Sequence, residues 1–336
     1  MVRILNYTIF VPKLGIFSAK SSIRYFFYTT GTTCFVPERD LPKFAITKLE
    51  AMKHFIELFE EVTLRKWGMP ALSDYKGRDY TYSDVAGEIE KLHLAFENIG
   101  IVKGEKIAIC GKNSARWAIT FLAASTYEAV AVPLLYDFTP ESVLKLTDHS
   151  ESAILFTDKN VLRKIDPSAA PGLMAVISLD DFSCLWARDP EYGMAMESAI
   201  SEFNNLHPQG MTPEGFHYRH GSLDDLAVIN YTSGTTGNPK GVVLPHTQMT
   251  SLMDWAFIHE GTKLDENSVA GIISGLTFSA TTLILYSTIM YDGTVILAPD
   301  SSRKDINRLY DFLIKNKITH TNPITILTAE ASIKDM

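Results

Sequence analysis

The run from Tyr231 to Gly241 carries the side chains with the clearest chemistry in this sequence, and it reads Tyr-Thr-Ser-Gly-Thr-Thr-Gly-Asn-Pro-Lys-Gly. Its glycines allow backbone N–H groups to turn toward a ligand at φ values that other residues avoid. Its hydroxyls and Lys240 supply further donors, so the run suits the oxygens of a polyphosphate. It is not a Walker A loop, because a glycine and not Ser or Thr follows the lysine. The run therefore predicts a phosphate-binding loop of another kind.

The segments on either side of this run favour a binding loop over an ordinary surface loop. Clusters of Gly, Ser, Thr and Pro most often form surface turns. Here residues 226–231 read as a short buried strand, and residues 241–246 lead into a helical pattern at 251–259. A glycine-rich turn that directly follows a strand is the structural context typical of a phosphate-binding loop.

Strands alternate with helices along most of the chain, which predicts an α/β fold with a doubly wound, mainly parallel sheet. Lys76-Gly77 marks a hairpin, Ser83 is expected to cap the following helix, and Gly100 to end it. The other predicted strands are 106–110, 130–135, 153–156, 175–179, 226–231, 270–274, 294–298 and one near 319. The other predicted helices are 116–127, 139–149, 160–165, 278–291, 304–315 and one from 325.

The turn-rich connection 204–221 divides these elements into two groups. We predict a first α/β subdomain over residues 52–221. A second, incomplete α/β subdomain is expected over 222–336, opening with the strand at Leu226 and the phosphate loop. Residues 1–51 are predicted to be a poorly ordered N-terminal extension.

The phosphate run matches the YTSGTTGxPKG signature of the adenylate-forming (AMP-binding) superfamily at every position, and the chain resembles that family from Met52 to its end. Residues 96–109 and 121–133 are similar to the family's early strand and helix–strand segments. The first half looks most like long-chain acyl-CoA synthetases, whereas residues 278–322 look like a peptide-synthetase domain.

The resemblance implies ATP-dependent activation of a carboxylic acid as an acyl-adenylate, followed by capture on the thiol of coenzyme A or of a carrier protein. ATP and Mg²⁺ are the implied cofactors. It implies that the β- and γ-phosphates are held by side chains of Thr232, Ser233, Thr235, Thr236 and Lys240. The close backbone approach would be permitted by Gly234, Gly237 and Gly241.

The implied carboxylate pocket departs from both groups of relatives. In fatty-acid-type members this segment ends with proline and histidine, but residues 273–278 contain no histidine. Peptide-synthetase members place an aspartate after the phenylalanine, where this chain has Ser279. A neutral hydroxyl pairs poorly with an ammonium group, which disfavours an α-amino acid. Thr277, Phe278 and Ser279 are therefore predicted to line a pocket for a small-molecule carboxylate, with a fatty acid preferred and an amino acid left open.

Later elements of the family are absent from the sequence. They are the Tyr-Gly-x-Thr-Glu block, whose Thr and Glu contact phosphate and magnesium, the ribose-binding aspartate and the lysine of the C-terminal subdomain. The resemblance thus implies an N-terminal portion of an adenylating enzyme that needs the missing part or a partner for activity. A binding protein without catalysis, and the product of a broken gene, stay open as alternatives.

The N-terminal residues differ from the rest because four basic residues precede Glu38, the first acidic one. An extension upstream of a start at Met52, an organelle transit peptide and an interfacial membrane anchor are all compatible with that composition. No apolar run is long enough to span a bilayer. A cytoplasmic location is expected, and peripheral membrane contact is left open.

Composition and isolated residues narrow the function further. A net charge of −8 argues against general nucleic-acid binding. The widely spaced Cys34, Cys110 and Cys184 predict reduced thiols. No metal site is expected from the pair His217 and His220, which lacks neighbouring ligands in the sequence. Remaining candidates are expected to have structural roles: His246 packs near a helix start, Asp224 and Asp225 form a solvated turn, and Met249, Met253 and Trp255 belong to the core.

Overall fold

A computed structural model describes residues 3–4, 24–29, 32–37, 53–214, 216–232, 240–251, 264–273, 275–276, 279–298 and 306–321. The chain divides into two compact units, one of Met1–Leu5 with His54–Met336 and the other of Asn6–Lys53. The strands are β1 (Arg3–Ile4), β2 (Arg24–Thr29), β3 (Thr32–Pro37), β4 (Pro70–Asp74), β5 (Asp79–Thr81), β6 (Lys106–Cys110), β7 (Val130–Leu134), β8 (Ser152–Thr157), β9 (Ala175–Ser178), β10 (Cys184–Ala187), β11 (Leu226–Thr232), β12 (Lys240–Pro245), β13 (Val269–Ile272), β14 (Thr294–Leu297) and β15 (His320–Thr321). The helices are α1 (Phe55–Arg65), α2 (Tyr82–Ile99), α3 (Ala115–Thr126), α4 (Pro140–His149), α5 (Lys159–Leu162), α6 (Pro190–Gly193), α7 (Ala195–Leu206), α8 (Ser279–Met290) and α9 (Ile306–Lys315), with a 3-10 turn at Pro167–Ala169 and helical residues at 246–251.

The smaller unit contains an antiparallel hairpin of β2 and β3. Its register runs from Arg24 opposite Pro37 to Thr29 opposite Thr32. These strands were not predicted for the N-terminal extension. Apart from β1, β2 and β3, residues 1–51 lie outside the described part of the chain.

The larger unit contains a seven-stranded sheet in the order β10-β9-β8-β6-β7-β11-β12. Its interior strands run parallel, whereas β10 and β12 close the two edges in antiparallel pairing. Strands covered on both faces read as continuous apolar runs. Lys106–Cys110 is such a run, with every residue after the first buried.

A six-stranded sheet in the order β1-β15-β13-β14-β4-β5 forms the rest of the larger unit. All of its pairs are parallel except β4 with β5. Helix α3 contacts β6 and β7 of the first sheet and β4 of the second. Because it is covered from both sides, every residue of α3 except Arg116 is buried. The predicted fold class of two mainly parallel α/β sheets is confirmed.

Two strands, β11 and β4, belong to a different sheet from the one that their positions in the chain suggest. The strand at Leu226, which the sequence analysis placed at the start of the second subdomain, does not join the six-stranded sheet. β11 lies in the seven-stranded sheet, where Val228 pairs with Ala131 of β7. Conversely, β4 precedes that sheet in sequence but pairs with β14, with Leu72 opposite Val295. The domain boundaries at 51/52 and 221/222 stay predictions.

Local sequence signals account for most helix ends. Thr139 caps α4 and Pro140 follows as its first residue, as predicted. Gly100 ends α2 with a left-handed φ of 89°. The predicted cap of α2 at Ser83 is wrong, because Thr81 caps this helix. The Thr81 side chain accepts from the N–H of Asp84, whose carboxylate accepts from the N–H of Thr81, a reciprocal capping box.

Candidate functional site

The predicted phosphate loop begins and ends on a pair of adjacent strands. In the antiparallel pair of β11 and β12, Tyr231 lies opposite Gly241 and Thr232 lies opposite Lys240. Lys240 is exposed at the first position of β12. The predicted ligand-binding residues Ser233, Gly234, Thr235, Thr236 and Gly237 come between these strands in the sequence and are outside the described residues. The sequence had predicted β11 but not a strand beginning at Lys240.

The direction of β11 fixes the end of the sheet at which this strand stops, just before the predicted loop. β11 runs parallel to β7, so its last residue, Thr232, lies at the same end as the carboxyl ends of the parallel strands. In open α/β sheets, ligands bind in the crevice beyond those carboxyl ends. Thr232 and Lys240, which flank the predicted loop, therefore lie at the end of the sheet where such a fold normally binds its ligand.

Glycine at position 241 makes room for the ring of Tyr231. A Cβ atom at Gly241 would lie 3.2 Å from Ile229 Cγ2 and 3.4 Å from Tyr231 Cε1. Tyr231 is only 8% exposed and belongs to the core of the seven-stranded sheet. Its hydroxyl is 2.7 Å from Nδ1 of His149, the last residue of α4. The glycine predicted to permit a close ligand approach thus also permits a close aromatic contact.

The segment predicted to line the carboxylate pocket is attached to the first sheet. The N–H of Leu276 donates to Oδ1 of Asn113, in the loop after β6, at 3.0 Å. Of the predicted pocket residues, Thr277 and Phe278 lie outside the described residues, and Ser279 is the first residue of α8. Their role in a pocket stays a prediction. Farther along α8, the fully buried Tyr286 packs against Phe121 of α3, with ring centroids 4.9 Å apart.

Three histidines lie together where α1 begins and β12 ends. His54 caps α1, and its Nδ1 accepts from the N–H of Ile56 at 3.1 Å. Its ring centroid is 4.6 Å from that of His246 and 5.5 Å from that of His220. His54 and His246 are almost fully buried, and His54 Nε2 and His246 Nδ1 have no hydrogen-bond partner among the residues that the structure describes. The expectation that His246 packs near a helix start agrees with this placement.

Burial favours the neutral form of His54 and of His246. It lowers the pKa of His54 to about 3, with a further lowering by the nearby His246 and His220. It also lowers the pKa of His246 to about 4, although Asp225 opposes that shift. At neutral pH His54 and His246 therefore pack between the start of α1 and the end of β12 without carrying charge. Sequence reasoning missed His54, because nothing local connects it to residues so much later in the chain.

The other candidate residues mostly have structural partners. Nδ1 of His217 lies 2.9 Å from a carboxylate oxygen of Glu60, and Asp225 forms an ion pair of 2.9 Å with Lys103. Met249 is buried, whereas Met253 and Trp255 lie outside the described residues. Cys110 and Cys184 are free thiols.

Within the part of the chain that the structure describes, no group of three or more His, Cys, Asp or Glu side chains could hold a metal ion. No helix there is long and apolar enough to cross a membrane.

Comparison with known proteins identifies the family. The sequence profile of the family described as AMP-binding enzyme matches residues 59–327. The chain therefore belongs to the AMP-binding enzyme family, and the resemblance stated from the phosphate run is confirmed.

Relatives come from both groups that the sequence resembles. Human long-chain-fatty-acid–CoA ligase 6 is 29% identical over 176 residues, which are 49% of this chain and 24% of the ligase. The hybrid PKS-NRPS synthetase fsa1 of a Fusarium species (strain FN080326) is 24% identical over 253 residues, 75% of this chain and 6% of that protein. The match thus spans about a quarter of the length of the ligase and far less of the multidomain synthetase.

A solved structure shares the fold. The anthranilate CoA ligase AuaEII, in complex with anthranoyl-AMP, superposes with a TM-score of 0.65 at 19% identity. The match covers 84% of this chain and 49% of the ligase. At this identity the likeness establishes the fold, not the ligand.

Proposed function

We propose that this chain binds ATP through the loop at 232–241 and takes part in activating a carboxylic acid as an acyl-adenylate. The observation that carries this proposal is the pairing of β11 with β12, which places Thr232 and Lys240, the residues on either side of the central part of the family signature, opposite each other at the carboxyl end of the parallel strands. Membership of the AMP-binding enzyme family supports the same reaction class.

The chemistry assigned to the loop is phosphate binding and charge stabilisation. A carboxylate oxygen of the acid attacks the α-phosphorus of ATP, the bond to the bridging oxygen breaks, and pyrophosphate leaves with the electron pair. The hydroxyls of Thr232, Ser233, Thr235 and Thr236 and the ammonium of Lys240 would hold the β- and γ-phosphates while their charge grows. Such catalysis works through positioning and preorganised donors.

The second half-reaction transfers the acyl group to a thiol. The sulfur of coenzyme A, or of a carrier protein, attacks the acyl carbon; the bond from that carbon to the phosphate oxygen breaks, AMP leaves, and the thiol loses its proton. Mg²⁺ would neutralise charge on the triphosphate. The residues that the structure describes contain no ligand set for it, so we derive no step through the metal.

A fatty acid is the proposed substrate, with coenzyme A as acceptor. Ser279 stands where an amino-acid-activating site would need a carboxylate for the substrate's ammonium. Helix α8, which begins at Ser279, contains no charged residue, and its last six residues are buried. This apolar character suits an acyl chain. Relatives of both kinds keep an amino acid loaded onto a carrier protein as the alternative.

Two measurements on the full chain test the proposal. Isothermal titration with ATP should give saturable binding, and a chain that does not bind ATP would contradict the proposed function. ATP–pyrophosphate exchange is then measured with fatty, aryl and amino acids. Exchange that depends on fatty acids supports the proposal, whereas exchange with amino acids alone would overturn the substrate class. Binding without any exchange would favour a nucleotide-binding protein.

A further inference from the structure

We propose that His149 is a positioning residue for the phosphate loop, which it holds through the hydroxyl of Tyr231. The two residues are 82 positions apart in sequence, and His149 lies on a helix that the phosphate signature does not include. The nucleotide part of this inference rests on the proposed function, whereas the effect on the loop's strands does not.

Tyr231 is the point at which the loop joins the core. It is the residue before Thr232, and its backbone pairs with Gly241, so it touches both strands that carry the loop. Its ring crosses the strand pair at the space left by the glycine. A change in the position of this ring therefore moves both ends of the loop.

His149 can fix that ring because its own helix is anchored in the same core. α4 begins with a hydrogen-bonded cap at Thr139. Its residues Val143 and Leu146 belong to the buried cluster that also contains Tyr231. At its end, His149 Nδ1 lies 2.7 Å from the Tyr231 hydroxyl, and the two rings meet edge to face with centroids 5.8 Å apart. The hydrogen bond therefore connects the loop to a packed helix.

Loss of this hydrogen bond should loosen the hairpin and leave the fold intact. A preorganised loop binds its ligand more tightly because less conformational entropy is lost on binding. One neutral hydrogen bond corresponds to a change of about three- to ten-fold in affinity. We expect His149→Ala to weaken ATP binding by that factor.

The test is a double-mutant cycle with the full chain and ATP, measured by isothermal titration. His149→Ala and Tyr231→Phe should each weaken binding, and the double variant should be no worse than Tyr231→Phe, which also removes the hydrogen bond of the hydroxyl with Ser150. His149→Asn, whose amide lies where Nδ1 lay, should restore most of the affinity. Asp148→Ala, on the preceding exposed residue of the same helix, is the matched control and should bind like the parent.

Hydrogen exchange without nucleotide supplies a second readout. Amides of β11 and β12 should exchange faster in His149→Ala, while those of β6 in the same sheet should keep their protection. Unchanged exchange in the hairpin overturns the inference, and so do single-variant effects that simply multiply in the double variant. Equal loss of protection in β6 would mean general destabilisation, which also overturns it. If the parent chain does not bind ATP, the proposed function fails, and exchange alone decides whether His149 holds the loop.

Discussion

A carboxylate oxygen of Asp74, at the end of β4, accepts a hydrogen bond of 2.8 Å from the backbone N–H of Ala115, the first residue of α3. Ser114 caps the same helix end by accepting from the N–H of Trp117. A side chain of the six-stranded sheet thus completes the N-terminus of a helix that covers the seven-stranded sheet. Negative charge at that end of a helix is also favoured by the helix dipole.

Replacement of Asp74 by alanine should lower the free energy of unfolding, because it removes the contact of β4 with the N-terminus of α3. Loss of a helix-end hydrogen bond to a carboxylate costs about 1–2 kcal/mol in the free energy of unfolding. Urea denaturation measures this change. Asp224→Ala removes an exposed aspartate and should stay within about 0.5 kcal/mol of the parent. Equal stability of the two variants would show that the Asp74 contact contributes nothing.

Replacement of Lys240 by alanine should weaken ATP binding with little effect on stability. The side chain is exposed at the end of the loop, so its removal leaves no cavity. A lost charged hydrogen bond costs about 1–3 kcal/mol, which is roughly 5- to 150-fold in affinity. Titration calorimetry compares it with Lys164→Ala, a change at another exposed lysine. An unaltered dissociation constant for Lys240→Ala would remove this lysine from the site.

Replacement of Gly241 by alanine should disturb Tyr231. The added methyl group would lie 3.4 Å from the tyrosine ring and 3.2 Å from Ile229, so these side chains must shift. Overpacking of this kind costs on the order of 1 kcal/mol. Thermal unfolding measures the loss, and ATP titration should report weaker binding. Gly172→Ala is the control because no heavy atom lies within 4 Å of its new methyl group.

The free energy of unfolding should decrease at acidic pH because His54 and His246 are buried. An unfolded histidine titrates near pH 6.5. In the folded protein, burial lowers the pKa of His54 to about 3 and that of His246 to about 4. Below about pH 6.5 the unfolded chain therefore binds protons that the folded chain does not bind, and the free energy of unfolding decreases toward pH 4. This contribution is fully present above about pH 6.5.

His54→Asn isolates one of these groups. Asparagine is a good helix cap and cannot titrate. Urea denaturation at about pH 7 and about pH 5 should give a smaller loss of stability for this variant than for the parent. A loss as large as that of the parent would contradict a buried, neutral His54.

Sequence patterns predicted the elements of this fold well where the signal is local. The caps at Thr139 and Gly100 and the strand at Lys106–Cys110 follow from residues within one turn or one run. The phosphate run was recognised for the same reason, because all of its chemistry is contiguous. The sequence did not predict the sheet to which β11 belongs, because the hydrophobicity of a strand does not say which sheet it joins.

The long-range contacts of the site were beyond sequence reasoning. The bond between His149 and Tyr231 and the packing of His54 on His246 both join residues on separate elements. Periodicity gives the face of a helix on which a side chain lies, but not the strand that this face meets. Gly241 was assigned to ligand approach alone, because its contact with Tyr231 appears only when β12 pairs with β11.

The pairing of β4 with β14 has a consequence during synthesis on the ribosome. Tyr82 follows the hairpin of β4 and β5, and its hydroxyl donates to the carbonyl of Gly293, 211 positions later. At typical translation rates that separation takes about 10–40 s to synthesise. Strands β6 to β10 follow one another in sequence and can assemble within that interval. In contrast, β4, β5 and Tyr82 stay uncovered until β14 and Gly293 have been synthesised. The β4–β5 segment of this sheet is thus synthesised early but covered late, and it is where a nascent chain would need a chaperone.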